Sequence, residues 1–262
     1  MSTFQRLDGQ VALVTGAGSA LGIGFAAAHA LADDGAAVVL SSTTERVYDR
    51  VAELTALGYT AAGVVADLME PGAAERVVAF ALGLSGRLEI CVNNAGMTAV
   101  GMASVNADVE GTTDAAWHDG IERNLTTCFA VTRAAVAAMR RHGYGRIVNI
   151  ASTSGPVQAF HGDVAYHAGK AGMVGLTRAV ALETAGHGIT VNAVAPGWIY
   201  TDTQDSREQG AGQLTAMGRS GTPQEIAAGI RFLADGSAGF ITGQMLVIDG
   251  GNSLPEDRSW QP

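Results

Sequence analysis

Val11-Ala12-Leu13-Val14-Thr15-Gly16-Ala17-Gly18-Ser19-Ala20-Leu21-Gly22-Ile23-Gly24 decides how the rest of the chain is read. Val11–Val14 is a short apolar run, as expected of a strand buried on both faces. Glycines follow at once, and Phe25–Ala32 then has the periodicity of a helix. Glycine lets a backbone approach a pyrophosphate closely, and a helix N-terminus presents free N–H groups to its charge. A tight turn with no ligand is the plainer reading of glycines alone; the strand before them and the helix after favour a phosphate cradle. Two registers are open. Either Gly24 is the last motif glycine, or Ala20 takes the middle position and Gly22 is the last; both keep Gly16.

The same alternation continues along the chain. Strands are expected at Ala37–Leu40, Thr60–Val65, Glu89–Val92, Ile147–Ile150, Thr190–Val194 and Met245–Ile248. Helices are expected at Glu45–Leu57, Ala73–Leu84, about Asp114 to Arg141, Val164 to Ala185 and Pro223–Leu233. Gly35, Gly58, Gly86, Gly143 and Gly188 follow helix ends, where a left-handed cap is needed. Near-continuously apolar strands alternating with helices give an α/β fold: a doubly wound parallel sheet of about seven strands, covered on both faces. No linker or repeat divides the chain, so residues 1–262 are expected to form a single domain. The polar, weakly periodic stretch 200–220 reads as a lid over a substrate.

The chain has 262 residues, of which 47% are hydrophobic and 16% charged, with a net charge of -9. A domain of this length buries roughly 70–75% of its unfolded surface. The acidity argues against nucleic acid and anionic membrane as partners, and no apolar run reaches the ~18 residues a membrane span needs. The short polar start, Met1 to Asp8, has no signal region, and a cytoplasmic location is expected. Cys91 and Cys128 lie in apolar stretches without metal or CxxC spacing, so both read as buried hydrophobes. No metal site is expected.

The end of the second strand addresses a dinucleotide's ribose. An acidic residue there would favour a free 2′-hydroxyl. The chain instead has Ser41-Ser42-Thr43-Thr44, then Glu45 and Arg46. Ser42, Thr43 and Arg46 suit a 2′-phosphate, which favours NADP(H). Glu45 keeps NAD(H) possible, and Arg46 as a solvated helix charge is the plainer alternative. Tyr166-His167-Ala168-Gly169-Lys170 opens a helix, and residues four apart share a face. A free tyrosine has a pKa of about 10. A nearby ammonium in a partly dry site stabilises the phenolate, which makes the Tyr166/Lys170 pair an acid/base unit. Such a spacing also arises by chance on solvated helices.

With these motifs in order, nearly the whole chain, about Leu7 to Asn252, resembles the short-chain dehydrogenase/reductase family, and its 3-oxoacyl and ketone reductases in particular. Thr15-Gly16 through Gly22-Ile23-Gly24 resembles the family's cofactor turn, with Ser19 inside it. Asp67-Leu68 resembles its adenine-contacting pair, and Asn93-Asn94-Ala95-Gly96 its Asn-Asn-Ala-Gly signature. Asn124, Ser152, Tyr166 and Lys170 match its catalytic tetrad. Pro196-Gly197-Trp198-Ile199-Tyr200-Thr201 resembles the segment that meets the nicotinamide, and Thr242-Gly243-Gln244 with Asp249-Gly250-Gly251 its C-terminal signature.

The resemblance implies a Rossmann-type fold and a set of roles. Tyr166 gives a proton to a carbonyl oxygen as hydride arrives from the nicotinamide, Ser152 positions that oxygen, Lys170 lowers the tyrosine pKa and holds the ribose, and Asn124 anchors a proton-relay water. Cofactor contacts are implied for Gly16, Ser19, Gly22, Ile23, Gly24, Asp67, Leu68, Asn94, Ala95, Gly96, Pro196, Gly197, Ile199 and Thr201, and again for Tyr166 and Lys170. A homotetramer is implied, with the helices around Asn124 and Tyr166 at its interfaces.

The glycine turn is two residues longer than the usual family form if Gly24 is its last glycine. The Ser152–Tyr166 loop is one residue longer, so Thr153 or Ser154 competes for the serine's role. His161 borders the site; His167 points away from Tyr166 and Lys170 by helix geometry, toward the surface or an interface. Phe160 and Trp198 read equally as pocket lining and as packing. The leading function is an NADP(H)-dependent ketone or 3-oxoacyl reductase acting on a small carbonyl or alcohol. An NAD-linked alcohol or sugar dehydrogenase is the alternative, and a non-catalytic dinucleotide sensor is the alternative of another class. The stretches Tyr200–Ala216 and Thr98–Thr113 should shape the substrate pocket.

Overall fold

The computed structural model describes residues 7–96, 107–202, 204 and 206–256. Seven parallel strands form one sheet: β1 (Val11–Val14), β2 (Ala37–Ser42), β3 (Ala61–Val65), β4 (Ile90–Asn93), β5 (Gly145–Ile150), β6 (Ile189–Pro196) and β7 (Met245–Ile248). Their order is β3-β2-β1-β4-β5-β6-β7. The order reverses between β1 and β4, and a crevice opens there at the carboxyl ends of the strands, where ligands bind in such sheets.

Helices α1 (Ile23–Asp33), α2 (Arg46–Ala56) and α8 (Pro223–Ala234) carry the side chains of one face; α3 (Ala73–Ser85), α5 (Thr127–Met139) and α6 (Val164–Thr184) carry those of the other. Leu13 points into one core and Val14 into the other, because successive strand side chains alternate. This explains why β1, β4, β5 and β6 are buried at every position and read as continuous apolar runs.

Two stretches differ from the sequence-based expectation. The long helix expected from Asp114 to Arg141 is two helices, α4 (Asp114–Ile121) and α5, joined by a π-helical turn over Glu122–Thr126. Hydrophobic periodicity does not register one extra residue in a turn, and such bulges gather at functional sites. The expected lid, 200–220, holds a short helix, α7 (Ser206–Gln213). Residues 97–106, most of the predicted pocket loop Thr98–Thr113, lie outside the described residues; Thr113 caps α4 by accepting from the Ala116 N–H. Cys91 and Cys128 are buried, and burial pushes both thiols up. No helix among the described residues is long and apolar enough to cross a membrane.

A buried polar ladder crosses the middle of the sheet. Asn93 Nδ2 donates to Asn149 Oδ1 (2.8 Å) and to Thr132 Oγ1 (2.9 Å), and Asn149 Nδ2 donates to Thr177 Oγ1 (2.9 Å). It ties β4 and β5 to α5 and α6, and so holds together the strands that end at the site. Buried amides without partners are costly. Asn149→Ala is therefore expected to destabilise by about 2 kcal/mol and lower the melting temperature by roughly 5 °C. An unchanged thermal midpoint in calorimetry would show that the ladder is not a stabilising element.

Candidate active site

Six of the segments singled out by sequence lie at the carboxyl ends of strands. Thr15–Gly24 follows β1, Thr43–Arg46 follows β2, Asp67-Leu68 comes just beyond β3, Asn94–Gly96 follows β4, Ala151-Ser152 follows β5 and Gly197–Thr201 follows β6. A parallel sheet gathers all these ends on one edge, which is how distant parts of the chain meet.

The glycine turn is braced against β4. Thr15 Oγ1 accepts from the N–H groups of Asn94 and Ala95 (both 3.0 Å), while Asn94 Nδ2 donates to the carbonyls of Thr15 (3.0 Å) and Gly16 (2.9 Å). Gly16 has φ 67°, and a Cβ there would lie 2.8 Å from Ala95 Cα. Gly22 is the N-cap of α1 and Gly24 sits in its first turn, where a Cβ would lie 2.7 Å from the Gly16 carbonyl oxygen. Gly16 thus makes the turn, Gly22 stands at the start of the helix and Gly24 permits close helix–strand packing, which favours the register that ends at Gly24. Ala20 and Leu21 of the turn are exposed. Ser19 Oγ, on the same loop, donates to Asp202 Oδ2 at 2.6 Å.

Gly18 was not singled out by sequence. A Cβ on it would lie 2.9 Å from Ser42 Cβ, so the turn and the tip of β2 share one wall. Beside them Arg46 Nε donates to Thr44 Oγ1 at 3.3 Å on the exposed rim, with Thr43 exposed and Ser42 half-buried. Asp67 Oδ1 accepts from the Met69 N–H, and Leu68 packs on the core beneath. Gly197 is pressed on Asp249, since a Cβ there would lie 2.7 Å from Asp249 Cβ; Ile199 bridges to Gly221. Thr201 is half-buried after them. The free N-terminus of α1, the cradle emptied of side chains at Gly16 and Gly18, and the hydroxyl–guanidinium rim together fit a dinucleotide.

Asn124, Ser152, Tyr166 and Lys170 converge beside that cradle. Asn124 lies in the π-helical turn, 3% exposed, with Nδ2 donating to the Gly120 carbonyl at 3.1 Å. Glycines bring its helix onto α6: a Cβ on Gly120 would lie 2.6 Å from Ala165 Cβ, and one on Gly169 3.1 Å from Asn124 Cβ. Lys170 is 3% exposed and donates from Nζ to the Ile150 carbonyl at 2.8 Å. A Cβ on Gly96 would lie 3.0 Å from Asn124 Oδ1 and 3.4 Å from Lys170 Nζ, so this glycine keeps the space beside both open.

The three candidate hydroxyls differ in their partners. The Ser152 hydroxyl lies by the Tyr166 phenol, whose pKa it lowers, and accepts from the Ser154 N–H at 3.1 Å. Thr153 Oγ1 instead accepts from Gln158 Nε2, and Ser154 pairs with Gln158 through its backbone.

The electrostatics correct one expectation. Burial pushes the Tyr166 phenol up to about 12; the Ser152 hydrogen bond pulls it down, and the carboxylates of Asp163 and Glu208 add to the rise. Burial also pushes the Lys170 ammonium down to about 8. The expected lowering of the phenol by its cationic neighbour is not seen in this structure. The Lys170 amine turns to the Ile150 carbonyl, 5.6 Å from the Tyr166 ring centroid, and desolvation wins.

Three further residues reach the site. Asp163, at φ 53°, caps α6 by accepting from the Tyr166 N–H at 3.1 Å. An aspartate three residues before the helix's first functional residue is a cap signal legible in the sequence. Phe160 lies 6.3 Å from the rings of both Tyr166 and Trp198, with the Arg207 guanidinium of α7 at 5.3 Å. His167, expected at the surface or an interface, packs at 4.4 Å on Phe160. His161 is exposed.

Comparison with known proteins agrees with this arrangement. Residues 16–253 match the family model described as Enoyl-(Acyl carrier protein) reductase. The chain is 40% identical over 253 residues to the (2S)-((R)-hydroxy(phenyl)methyl)succinyl-CoA dehydrogenase subunit BbsD of Thauera aromatica, covering 95% of this chain and 98% of that one. It is 38% identical over 250 residues to the 3-oxoacyl-(acyl-carrier-protein) reductase FabG of Escherichia coli K12, covering 94% and 98%. The solved short-chain dehydrogenase/reductase from Serratia marcescens superposes with a TM-score of 0.86 at 33% identity, over 95% of this chain and all of that one. With a family model spanning most of the chain and relatives matched nearly end to end, the chain belongs to the short-chain dehydrogenase/reductase family and is an oxidoreductase of the CH–OH/C=O type.

Proposed function

We propose that this enzyme is an NADP(H)-dependent reductase of ketones or 3-oxoacyl groups, with Tyr166 as its general acid. The observation that carries the reading is the convergence of Tyr166, Ser152, Lys170 and Asn124 at the edge of a dinucleotide cradle. A bound reduced nicotinamide supplies the hydride. The chain's own task is then to orient the carbonyl and deliver a proton to its oxygen. The Ser152 hydroxyl and Tyr166 phenol are the two donors for that oxygen. A phenol held near 12 keeps its proton at neutral pH, which suits reduction. Lys170 and Asn124, beside the gap at Gly96, hold the ribose and the route by which the phenol regains its proton. Gly16, Ser19, Gly22, Ile23 and Gly24 take the pyrophosphate; Asp67, Leu68, Asn94, Ala95 and Gly96 line the adenosine and ribose side; Pro196, Gly197, Ile199 and Thr201 flank the nicotinamide. The resemblance to 3-oxoacyl reductases supports the substrate class, a homotetramer and a cytoplasmic location.

The NADP preference rests on Ser42, Thr43 and Arg46, with no carboxylate at the tip of β2. A guanidinium on a phosphate is a charge-assisted contact worth about 1.5–3 kcal/mol. Arg46→Ala is therefore expected to weaken NADPH binding by roughly tenfold or more while leaving NADH binding nearly unchanged. The test is titration of both cofactors against the wild type and the variant, with turnover of 3-oxobutanoyl thioesters measured alongside. Tighter binding of NADH than NADPH by the wild type would favour the NAD-linked dehydrogenase instead. Firm cofactor binding without turnover of any ketone or alcohol would favour a sensor.

A further inference from the structure

We propose that His167 is a positioning residue that fixes Phe160 as a wall of the carbonyl-substrate pocket. The inference rests on the reading of Tyr166 as the acid of that pocket. The His167 ring meets two backbone groups of opposite kind. Its Nδ1 lies 2.8 Å from the Asp163 carbonyl oxygen, and the Phe160 N–H donates to its Nε2 at 3.1 Å. A carbonyl only accepts and an amide N–H only donates, so the neutral Nδ1–H tautomer is the one form that satisfies both. Both partners belong to the loop that leaves Ser152 and returns as α6 at Tyr166.

That loop needs a tie. Gly155, Gly162 and Asp163 all have positive φ, at 101°, 92° and 53°, so the chain turns sharply at each end of the span that carries Phe160. At its near end, Thr153 and Gln158 hold the backbone. At its far end, the Asp163 side chain caps α6 beneath Tyr166, and the Asp163 N–H donates to the Ala107 carbonyl. Between those ends, the imidazole accepts from the Phe160 N–H and packs on the Phe160 ring at 4.4 Å, tilted by 57°. Phe160 in turn is the hub of the aromatic cluster: the Tyr166 and Trp198 rings each lie 6.3 Å from its own, and Arg207 of α7 rests over its face. One ring therefore links the proton donor, the segment after β6 and the lid helix. A wall of Phe160 and Trp198, two rings inclined at 45°, is apolar and aromatic, and it suits an apolar or aryl substituent on the carbonyl carbon.

His167→Gln keeps an acceptor where Nε2 stands. His167→Asn keeps only the donor where Nδ1 stands. Two readouts test the tie without turnover. The 15N shifts of the imidazole are expected to show the Nδ1–H tautomer. Amide exchange at Phe160 is expected to be slow in the wild type and His167→Gln, and fast in His167→Asn. With ethyl acetoacetate and ethyl benzoylacetate as probes, His167→Asn is expected to raise KM roughly tenfold, more for the aryl ester, with kcat and NADPH affinity within about threefold, as expected when substrate binding alone is weakened. His167→Gln is expected to stay near the wild type. An Nε2–H tautomer, or equal Phe160 exchange in all three proteins, overturns the tie. Unchanged KM in His167→Asn, or kcat and cofactor affinity falling with it, overturns the positioning role. Should neither ester turn over in the wild type, exchange and tautomer still decide the tie, and the reductase reading is judged by 3-oxobutanoyl thioester turnover.

Discussion

Tyr166→Phe is expected to slow carbonyl reduction by about 10³-fold, within the range that loss of a positioned general acid costs. The substitution removes one oxygen and nothing else. The Phe160 contact is made by the ring, and the helix cap from Asp163 is made to the backbone, so both survive. NADPH affinity should therefore move by less than about threefold, because an interaction used only in the transition state lowers kcat without weakening binding. The pH dependence has a definite sign. Reduction consumes the phenol's proton, and a group held near 12 has that proton throughout the neutral range. Oxidation of the alcohol needs the phenolate, so in the wild type it should climb with pH across the alkaline range while reduction does not. Stopped-flow measurement of both directions decides this. A variant that keeps a tenth or more of wild-type reduction would remove Tyr166 from the reaction.

The fold was legible because its signals are local. Val11–Val14, Ile147–Ile150 and Met245–Ile248 are read from apolar runs alone, and the glycines after helices mark their ends. That Asn124, Ser152, Tyr166 and Lys170 come together was legible because their motifs follow one another in order along the chain, and a parallel sheet turns that order into proximity. Contacts that depend on three-dimensional approach were hidden. Gly18 shows its role only when Ser42 is seen against it. Gly120 reads as an indifferent helix residue until Ala165 packs on it. The π-helical turn at Asn124 differs from a plain helix by one residue, which periodicity cannot resolve. Helix geometry turns His167 away from Tyr166 and Lys170, toward the surface or an interface, yet its ring lies edge-on 6.1 Å from the Tyr166 ring and 4.4 Å from that of Phe160. Helix geometry alone does not register that the Ser152–Tyr166 loop folds back over the same face. The phenol's pKa went the other way because spacing places the Lys170 amine near but does not say where it points.

Lys170 also carries a stability cost that its replacement should expose. Its ammonium is almost fully buried and lowered from 10.5 to about 8, which at 1.36 kcal/mol per unit amounts to ~3 kcal/mol against the charged native form. The Ile150 hydrogen bond offsets a part, of order 1 kcal/mol. Methionine has a similar volume and no charge, so Lys170→Met is expected to be more stable than the wild type by about 2 kcal/mol at pH 7. Below about 8 the amine is protonated in both the native and the unfolded chain, and the penalty is fully present. Between about 8 and 10.5 the unfolded chain keeps a proton that the native chain has released, so wild-type stability rises with pH across that window. The advantage of Lys170→Met should thus shrink as pH climbs, vanish near about 9.5 and be slightly reversed by about 10.5. The same variant should lose at least about 10²-fold in turnover, because the group that holds the ribose and reprotonates the phenol is missing. A more stable but inactive protein is what a charge retained for function predicts. Urea unfolding at several pH values tests it. If Lys170→Met is the less stable protein at pH 7, or if the difference is the same at every pH, then the buried amine is a structural strut and its placement beside Asn124 and Tyr166 has another cause.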